Sequence, residues 1–154
     1  MTPATQALKR AKIEFELFSF DHDPNETHFG KEAAAKLNMS EDQLFKTLVA
    51  AVDGQLTVAV VPVSRQLNLK SLAKACKGKK AKMADKALVQ KTTGYLTGGV
   101  SPFGQKKQLP TVVDASAMDF DRVHVSAGRR GLQVAVSPGD LVAMTRASVD
   151  KISG

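Results

Sequence analysis

Hydrophobic and polar positions along this chain repeat at two periods, one typical of strands and the other of helices. Apolar and polar residues alternate in residues 13–18 (IEFELF), which predicts a strand. Two apolar runs, 44–52 and 56–63, are separated by Asp53-Gly54, a dipeptide that favours a tight hairpin turn. The pattern therefore predicts a hairpin of two buried strands in the middle of the chain.

Capping and turn residues indicate where the other elements begin and end. Helices are predicted to start at Thr2-Pro3, Asn68, Asp85 and Ser137-Pro138, and an Ala-rich stretch at 31–37 predicts another helix. Gly78 and Gly94 are expected to end the helices that start at Asn68 and Asp85. Ser40 and Gln43 have capping-box spacing, which predicts a brief helix before the first buried strand. Short strands are expected at 111–113, 123–125 and 132–136, the last two joined through GRRG.

Helices and strands alternate through both hairpin and crossover connections, and no repeat or linker interrupts them. A chain of 154 residues with 43% hydrophobic content can form a substantial core. We therefore expect a single α/β domain over residues 1–154, built on a mixed sheet.

Charge suggests the class of partner. Twenty-two Lys and Arg against fifteen Asp and Glu give a net charge of +7, which suits a polyanion such as RNA. The basic residues fall in folded segments and predict a basic face, with an ordinary solvated surface as the alternative. The candidate nucleic-acid contacts are Lys77, Lys79, Lys80, Lys82, Lys106, Lys107, Arg129 and Arg130.

Several classes of site and location are disfavoured. Cys76 is the single cysteine, so no disulfide or cysteine-based zinc site can form within the chain, and its apolar spacing predicts packing. The histidines and carboxylates of DHDPNETHFG match no standard metal spacing, and no metal is predicted. No segment has the apolar length of a membrane span, so a cytoplasmic protein that does not contact membranes is expected.

The stretch from Gly94 to Lys107, GYLTGGVSPFGQKK, fits neither a helix nor a strand. Gly98-Gly99 permits positive φ and close approach of the backbone to a bound group, and Pro102 stiffens the turn. With Lys106 and Lys107 at its end, the segment predicts a concave loop for an anionic or carbonyl-bearing ligand. A long surface connection is the alternative interpretation.

Lys46 follows Phe45 and precedes Leu48 at the start of the first buried strand. An ammonium there is expected at a sheet edge or in a pocket, where desolvation lowers the pKa of a lysine. The alternative is a lysine with a buried stem and a solvated ammonium.

Three segments, Lys46-Thr47-Leu48, GYLTGGVSPFGQKKQLPT and VSAGRRGL, together closely resemble the YbaK family of Cys-tRNA(Pro) deacylases. The resemblance covers nearly the whole chain. It implies a mostly antiparallel, barrel-like sheet flanked by helices, related to the editing insert of bacterial prolyl-tRNA synthetases. The implied reaction is trans-editing, the hydrolysis of cysteine from tRNA(Pro) for translation fidelity. Prolyl-tRNA synthetase is then a candidate partner, and no cofactor is implied.

Individual positions carry the family's implied roles. Lys46 corresponds to the essential lysine, Phe29 and Thr47 would line the pocket, Gly98-Gly99 would face the substrate, and Ser126 matches a pocket position. The substrate's own thiol would attack its carbonyl, which fits the lack of a recognisable Ser-His-Asp or Cys-His set.

Two positions depart from the family. Phe20 stands where tyrosine is frequent, and Gln133 stands where the family has an aspartate. The loss of that carboxylate leaves the amino-acid preference open, with alanine as another candidate.

Two other functions stay open. One is a tRNA-binding module, associated with a synthetase, that recognises aminoacyl ends without hydrolysis. The other is a phosphate-loop enzyme, although the chain has no Walker or Rossmann glycine spacing.

Overall fold

The computed structural model describes residues 1–154 and contains five α-helices, a 3-10 helix and eight strands. In chain order these are α1 (Pro3–Arg10), β1 (Glu16–Ser19), α2 (Phe29–Lys36), β2 (Phe45–Val52), β3 (Gln55–Pro62), α3 (Leu69–Ala75), β4 (Ala81–Met83), α4 (Lys86–Thr93), β5 (Thr111–Asp114), the 3-10 helix (Ala115–Asp119), β6 (Val123–Arg129), β7 (Leu132–Val136), α5 (Pro138–Thr145) and β8 (Ser148–Asp150). None of the helices combines the length and apolar character that crossing a membrane requires.

The strands form two sheets. One has the order β1-β7-β6 and is antiparallel, and the other has the order β4-β2-β3-β5-β8. In the larger sheet β2 pairs antiparallel with β3 and β4, whereas β3–β5 and β5–β8 are parallel. A single bridge between Leu44 and His124 connects the sheets. The α/β class and the mostly antiparallel pairing are confirmed, but the predicted single sheet is two sheets, and no closed barrel forms.

The central hairpin sets the register that places the candidate site. Asp53 and Gly54 both have positive φ, +48° and +85°, as a type I′ turn requires. This turn pairs Val52 with Gln55, and the register then runs back along β2 until Lys46 lies opposite Val61. The predicted hairpin is confirmed.

Alternation along β2 directs its side chains to two separate cores. Phe45 and Val49 join the main core, which includes residues of both sheets, whereas Ala50 and Val52 pack with Leu72 of α3. The Thr47 side chain lies on the same face of β2 as Phe45 and Val49, and the Lys46 side chain lies on the face of Ala50 and Val52. The start of β2 therefore presents one polar residue on each face of the sheet.

The predicted helix caps at Thr2, Asn68, Asp85 and Ser137 are confirmed, because each side chain accepts a hydrogen bond from a backbone N–H in the first turn. Gly94 also ends α4 as predicted, in the left-handed conformation. These local signals worked because each depends only on residues close in sequence.

Two local predictions were wrong. Residues 40–43 form a turn instead of a helix, since the Gln43 side chain donates to the carbonyl of Arg122 (2.8 Å) and does not return to Ser40. Helix α3 ends at Ala75, and Lys77 rather than glycine takes the left-handed conformation. A Cβ on Gly78 would lie 2.6 Å from Val52 Cγ1, so this glycine is required by packing against β2.

Candidate active site

A cavity of about 440 Å³ lies beside the first half of β2, within the size range of small-ligand sites. Its lining comes from distant parts of the chain: 28–31 at the start of α2, 44–49 at the start of β2, Val63 after β3, Met83, Ala84, Lys86 and Val89 around β4 and α4, and Thr97, Gly98 and Val100 of the glycine-rich loop. Ser126 of β6 and Gln133 of β7 complete the lining. Both sheets and the predicted loop thus meet at one concave site.

The cavity lies along an unpaired edge of β2. β4 pairs only with Ala50–Val52 and the bridge to β6 is at Leu44, so Thr47 between them has no neighbouring strand on that side. The carbonyl of Val49 accepts a hydrogen bond from the N–H of Ala84 (3.1 Å), so it points towards this edge. Because backbone groups of an antiparallel strand alternate in direction, the N–H and C=O of Thr47 point the same way. The edge offers a backbone donor and acceptor to a ligand.

Lys46 lines the cavity and is partly buried, with no carboxylate in salt-bridge contact. Burial lowers the pKa of its ammonium, and the nearby positive charge of Lys31 lowers it further. An ammonium that is desolvated and lacks a counter-ion has a strong electrostatic attraction for a phosphate or a polarised carbonyl oxygen. Lys46 therefore lies at a cavity, and its role there stays a prediction.

Two polar side-chain atoms in the cavity lining are buried without any hydrogen-bond partner, Thr47 Oγ1 and Gln133 Oε1. Buried polar atoms are nearly always paired in folded proteins, and an unpaired one lowers stability. Ser126 lies directly opposite Gln133 in the β6–β7 register, and its Oγ accepts a hydrogen bond from Gly128 N–H (3.2 Å). The lining therefore has hydrogen-bonding capacity that the protein itself does not use.

Gly98 closes the cavity on the side of the glycine-rich loop. The loop makes a tight turn in which Gly99 N–H donates to Leu96 O (2.9 Å), and Gly98 has a φ of +85°. A Cβ at Gly98 would lie 2.5 Å from Cγ of Phe29. Glycine is needed here for both its backbone angle and its close contact with the ring. Gly98 N–H has no hydrogen-bond partner within the protein.

Two residues named from the family resemblance lie outside the cavity lining, Phe20 and Gly99. Phe20 packs with the small cluster that contains Ala33 and Leu44. A Cβ on Gly99 would lie 2.9 Å from Cα of Arg129, so this glycine fits against the β6–β7 hairpin. The other six, Lys46, Phe29, Thr47, Gly98, Ser126 and Gln133, line the cavity together.

The basic residues predicted to bind nucleic acid are all exposed, and their role in binding stays a prediction. Lys79 and Lys80 donate their backbone N–H groups to Asp53, at the hairpin end of β2. Seven residues of strand separate that end from Lys46, a span of roughly 23 Å at the usual rise. Lys31 and Lys86 line the cavity instead, and sequence reasoning missed both because an exposed lysine on a helix looks like any solvated residue.

The DHDPNETHFG segment forms a structural network next to the cavity. His22 Nδ1 lies 2.6 Å from Glu32 Oε1, and Glu32 Oε2 accepts from Asp23 N–H and Lys36 Nζ. Burial alone would raise the pKa of Glu32, but the hydrogen bonds from Asp23, His22 and Lys36 outweigh it and lower the pKa to about 2. No group of three His, Cys or carboxylate side chains is placed to hold a metal ion.

Comparison with known proteins identifies the family of this chain. Residues 24–144 match the model of the aminoacyl-tRNA editing domain. The chain belongs to that family. The resemblance to the YbaK deacylases seen in the sequence is thereby confirmed.

The similar proteins fall into two groups by length. EbsC of Enterococcus faecalis, which carries the name of a Cys-tRNA(Pro)/Cys-tRNA(Cys) deacylase, is 35% identical over 99% of this chain and 93% of its own. The proline–tRNA ligase of Maridesulfovibrio salexigens is 34% identical over 66% of this chain but only 20% of its own length. The first is a stand-alone relative, whereas in the second the similar segment is part of a much longer synthetase.

Solved structures show the same fold over the full chain. The crystal structure of the hypothetical protein APE2540 aligns with a TM-score of 0.87 at 27% identity, covering 99% of both chains. A structure described as a trans-editing enzyme for prolyl-tRNA synthetase aligns with a TM-score of 0.83 at 23% identity, covering 99% of this chain and 95% of that one. At the lower identity the likeness supports the fold alone.

Proposed function

We propose that this protein is a trans-editing hydrolase that removes cysteine from mischarged Cys-tRNA(Pro). The observation that carries the proposal is the convergence of Lys46, Thr47, Gly98, Ser126 and Gln133 on one cavity in a chain of the aminoacyl-tRNA editing family. The deacylase name of the full-length relative EbsC supports the same reaction.

The cavity supplies what hydrolysis of an aminoacyl ester requires. The ester is already activated, so the protein needs to hold it, exclude the wrong amino acid and stabilise the developing oxyanion. The Lys46 ammonium contacts either the carbonyl oxygen or the phosphate next to the terminal ribose. The free N–H of Gly98 and the N–H of Thr47 at the β2 edge are additional candidate oxyanion donors.

Gln133 and Thr47 recognise the amino acid in this proposal. Gln133 Oε1 has no protein partner and can accept a hydrogen bond from the substrate's α-ammonium, as a carboxylate would. Because a neutral amide attracts an ammonium less strongly than a carboxylate does, substrate binding is weaker than with the family's aspartate. No protein nucleophile is needed when the substrate's thiol attacks its own carbonyl. The new C–S bond replaces the ester C–O bond, the tRNA 3′-hydroxyl leaves with the thiol proton, and water then opens the cyclic thioester to give free cysteine.

A matched set of Cys-, Ala- and Pro-charged tRNA(Pro) tests the proposal. We expect Cys-tRNA(Pro) to be deacylated far faster than Pro-tRNA(Pro), under conditions where spontaneous ester decay is measured in parallel. Rates for all three substrates equal to spontaneous decay would refute the hydrolase and favour the non-catalytic tRNA-binding module. Preferential hydrolysis of Ala-tRNA(Pro) would instead support a deacylase for another small amino acid, an outcome that Gln133 makes plausible.

The tRNA is held in part through the basic residues outside the cavity, and prolyl-tRNA synthetase is a candidate partner. We expect the logarithm of tRNA affinity to fall linearly with the logarithm of salt concentration, because lysine and arginine contacts release counter-ions from phosphates. An affinity that does not change between low and high salt would remove this electrostatic contribution.

A further inference from the structure

Arg130 links two parts of the cavity wall although it does not line the cavity itself. It lies in the two-residue turn between β6 and β7, next to Gly131, which has a φ of +86°. Its Nε donates to the carbonyl of Thr97 (2.8 Å), and its guanidinium carbon lies 4.6 Å from the centroid of the Phe29 ring. One side chain therefore contacts both the glycine-rich loop and the start of α2.

Phe29 is held from several sides at this point. The ring of His22 lies 5.7 Å from it, and the backbone of Gly98 lies so close that a methyl group would not fit between them. Arg130 makes the third contact. Thr97, Gly98 and Phe29 all line the cavity, so a shift of the guanidinium would move three parts of the wall together.

The geometry uses the planar guanidinium of Arg130, not only its charge. A guanidinium can lie against an aromatic ring while its Nε donates to a carbonyl, whereas a lysine ammonium is a compact point charge that cannot make both contacts in the same way. Arg129 and Arg130 are both exposed, but the Arg129 side chain makes no hydrogen bond or ion pair within the protein.

We propose that Arg130 is a positioning residue, which fixes Phe29 and the Leu96–Gly99 turn relative to each other at the cavity wall. Its role at the site deepens the proposed deacylase function and rests on it. This assignment separates Arg130 from the residues that contact tRNA only through phosphate charge.

Arg130→Lys is the direct test, because it keeps the positive charge but removes the planar contact. Hydrogen exchange at the amide of Gly99, which is bonded to Leu96 O, measures the order of the turn without any substrate. Single-turnover deacylation of Cys-tRNA(Pro) then gives the maximal rate separately from the half-saturating concentration. Arg10→Lys is the matched control, since Arg10 is an exposed arginine on α1 without an ion pair.

We expect Arg130→Lys to speed exchange at Gly99 and to lower the maximal rate about 10-fold or more, as a small misplacement of catalytic groups does. The half-saturating concentration and the salt dependence of tRNA binding should stay unchanged, because the charge remains. In a Phe29→Leu background the same substitution should cause little further loss of rate, since both changes act on one contact. Arg10→Lys should match the wild type.

Unchanged exchange at Gly99 together with an unchanged maximal rate would overturn the proposal. A loss confined to affinity in Arg130→Gln, with a shallower salt dependence, would assign the residue to phosphate binding instead. The proposal would also be contradicted if the fold-loss of maximal rate in the double variant equalled the product of the losses in Arg130→Lys and Phe29→Leu. If the wild-type protein fails to hydrolyse Cys-tRNA(Pro), the proposed function fails, but the exchange measurement still decides whether Arg130 orders the turn.

Discussion

Removal of the Lys46 ammonium is expected to affect activity without lowering stability. Lys46 has no ion-pair partner, and both burial and Lys31 disfavour its charge. Its substitution by methionine keeps an unbranched apolar stem along β2 but removes the charge. Folding therefore loses no favourable electrostatic contact, and we expect the thermal midpoint of Lys46→Met to equal or exceed that of the wild type.

The effect on catalysis should be large. A single donor directed at a developing oxyanion contributes about 100- to 1,000-fold to rate, or about 2.7–4 kcal/mol. We expect Lys46→Met and Lys46→Ala to lose at least ~100-fold in deacylation of Cys-tRNA(Pro) while they remain folded. Cys76→Ala should remain active, since Cys76 packs against the second core and its pKa is raised by burial.

Single-turnover kinetics would also show which oxygen Lys46 contacts. A lower maximal rate at an unchanged half-saturating concentration indicates contact with the carbonyl in the transition state. A higher half-saturating concentration at an unchanged maximal rate indicates a phosphate contact in the ground state. Near-wild-type values of both parameters in Lys46→Met would refute the catalytic role and leave Lys46 as a lysine with a buried stem.

Three further substitutions test the surroundings of Lys46. Thr47→Val removes an unpartnered buried hydroxyl, so unfolding should show equal or greater stability while deacylation slows about 10-fold; a stability loss above about 1 kcal/mol would contradict this. Gly98→Ala should lower both stability and rate, because the new methyl group meets Phe29 and the residue has a φ of +85°; an unchanged thermal midpoint would show that the turn can rearrange. Glu32 has its pKa lowered from 4.5 to about 2, so its carboxylate stabilises the fold above pH 4.5, and that contribution is lost as pH falls towards 2. The free energy of unfolding between these pH values should therefore depend less on pH in Glu32→Gln than in the wild type. Equal pH dependence of the two proteins would refute stabilisation by the Glu32 hydrogen bonds.

Most elements with local signals could be located from the sequence, and the capping-box pattern at Ser40 and Gln43 was an exception. The Asp53-Gly54 turn and the cap residues of four helices depend on their own backbone angles and near neighbours. The short strands β4 and β8 escaped prediction, because both have mostly exposed residues and no apolar alternation. The split into two sheets also could not be read from the pattern, since it depends on which distant strands pair.

The sequence identified candidate residues for the site but not the contacts between them. The glycine-rich loop correctly indicated a shaped turn, but only the fold shows that Gly98 packs on Phe29 and that Arg130 lies against the same ring. Phe20 and Gly99 match family positions in sequence yet lie behind the lining. A residue's sequence match identifies its strand or loop, whereas its exposure to the cavity depends on packing between elements far apart in the chain.

The combination of unpaired polar groups and an ammonium without a counter-ion at one concavity supports the cavity as the functional site. Some buried polar groups outside the cavity are well paired, such as Asp114, which accepts hydrogen bonds from Ser116, Ile152 and Ser153. Three other buried side-chain atoms without a partner, on Gln105, His124 and Ser153, also lie outside the cavity lining. In the cavity, Thr47 Oγ1 and Gln133 Oε1 have no partner, and the Lys46 ammonium has no counter-ion. Three such groups around one concavity lower the stability of the empty protein, and a ligand that is both anionic and rich in hydrogen-bonding groups would satisfy all of them. An aminoacylated tRNA end has that chemistry, since it combines an ammonium, an ester carbonyl and a phosphate within a few bonds of one another.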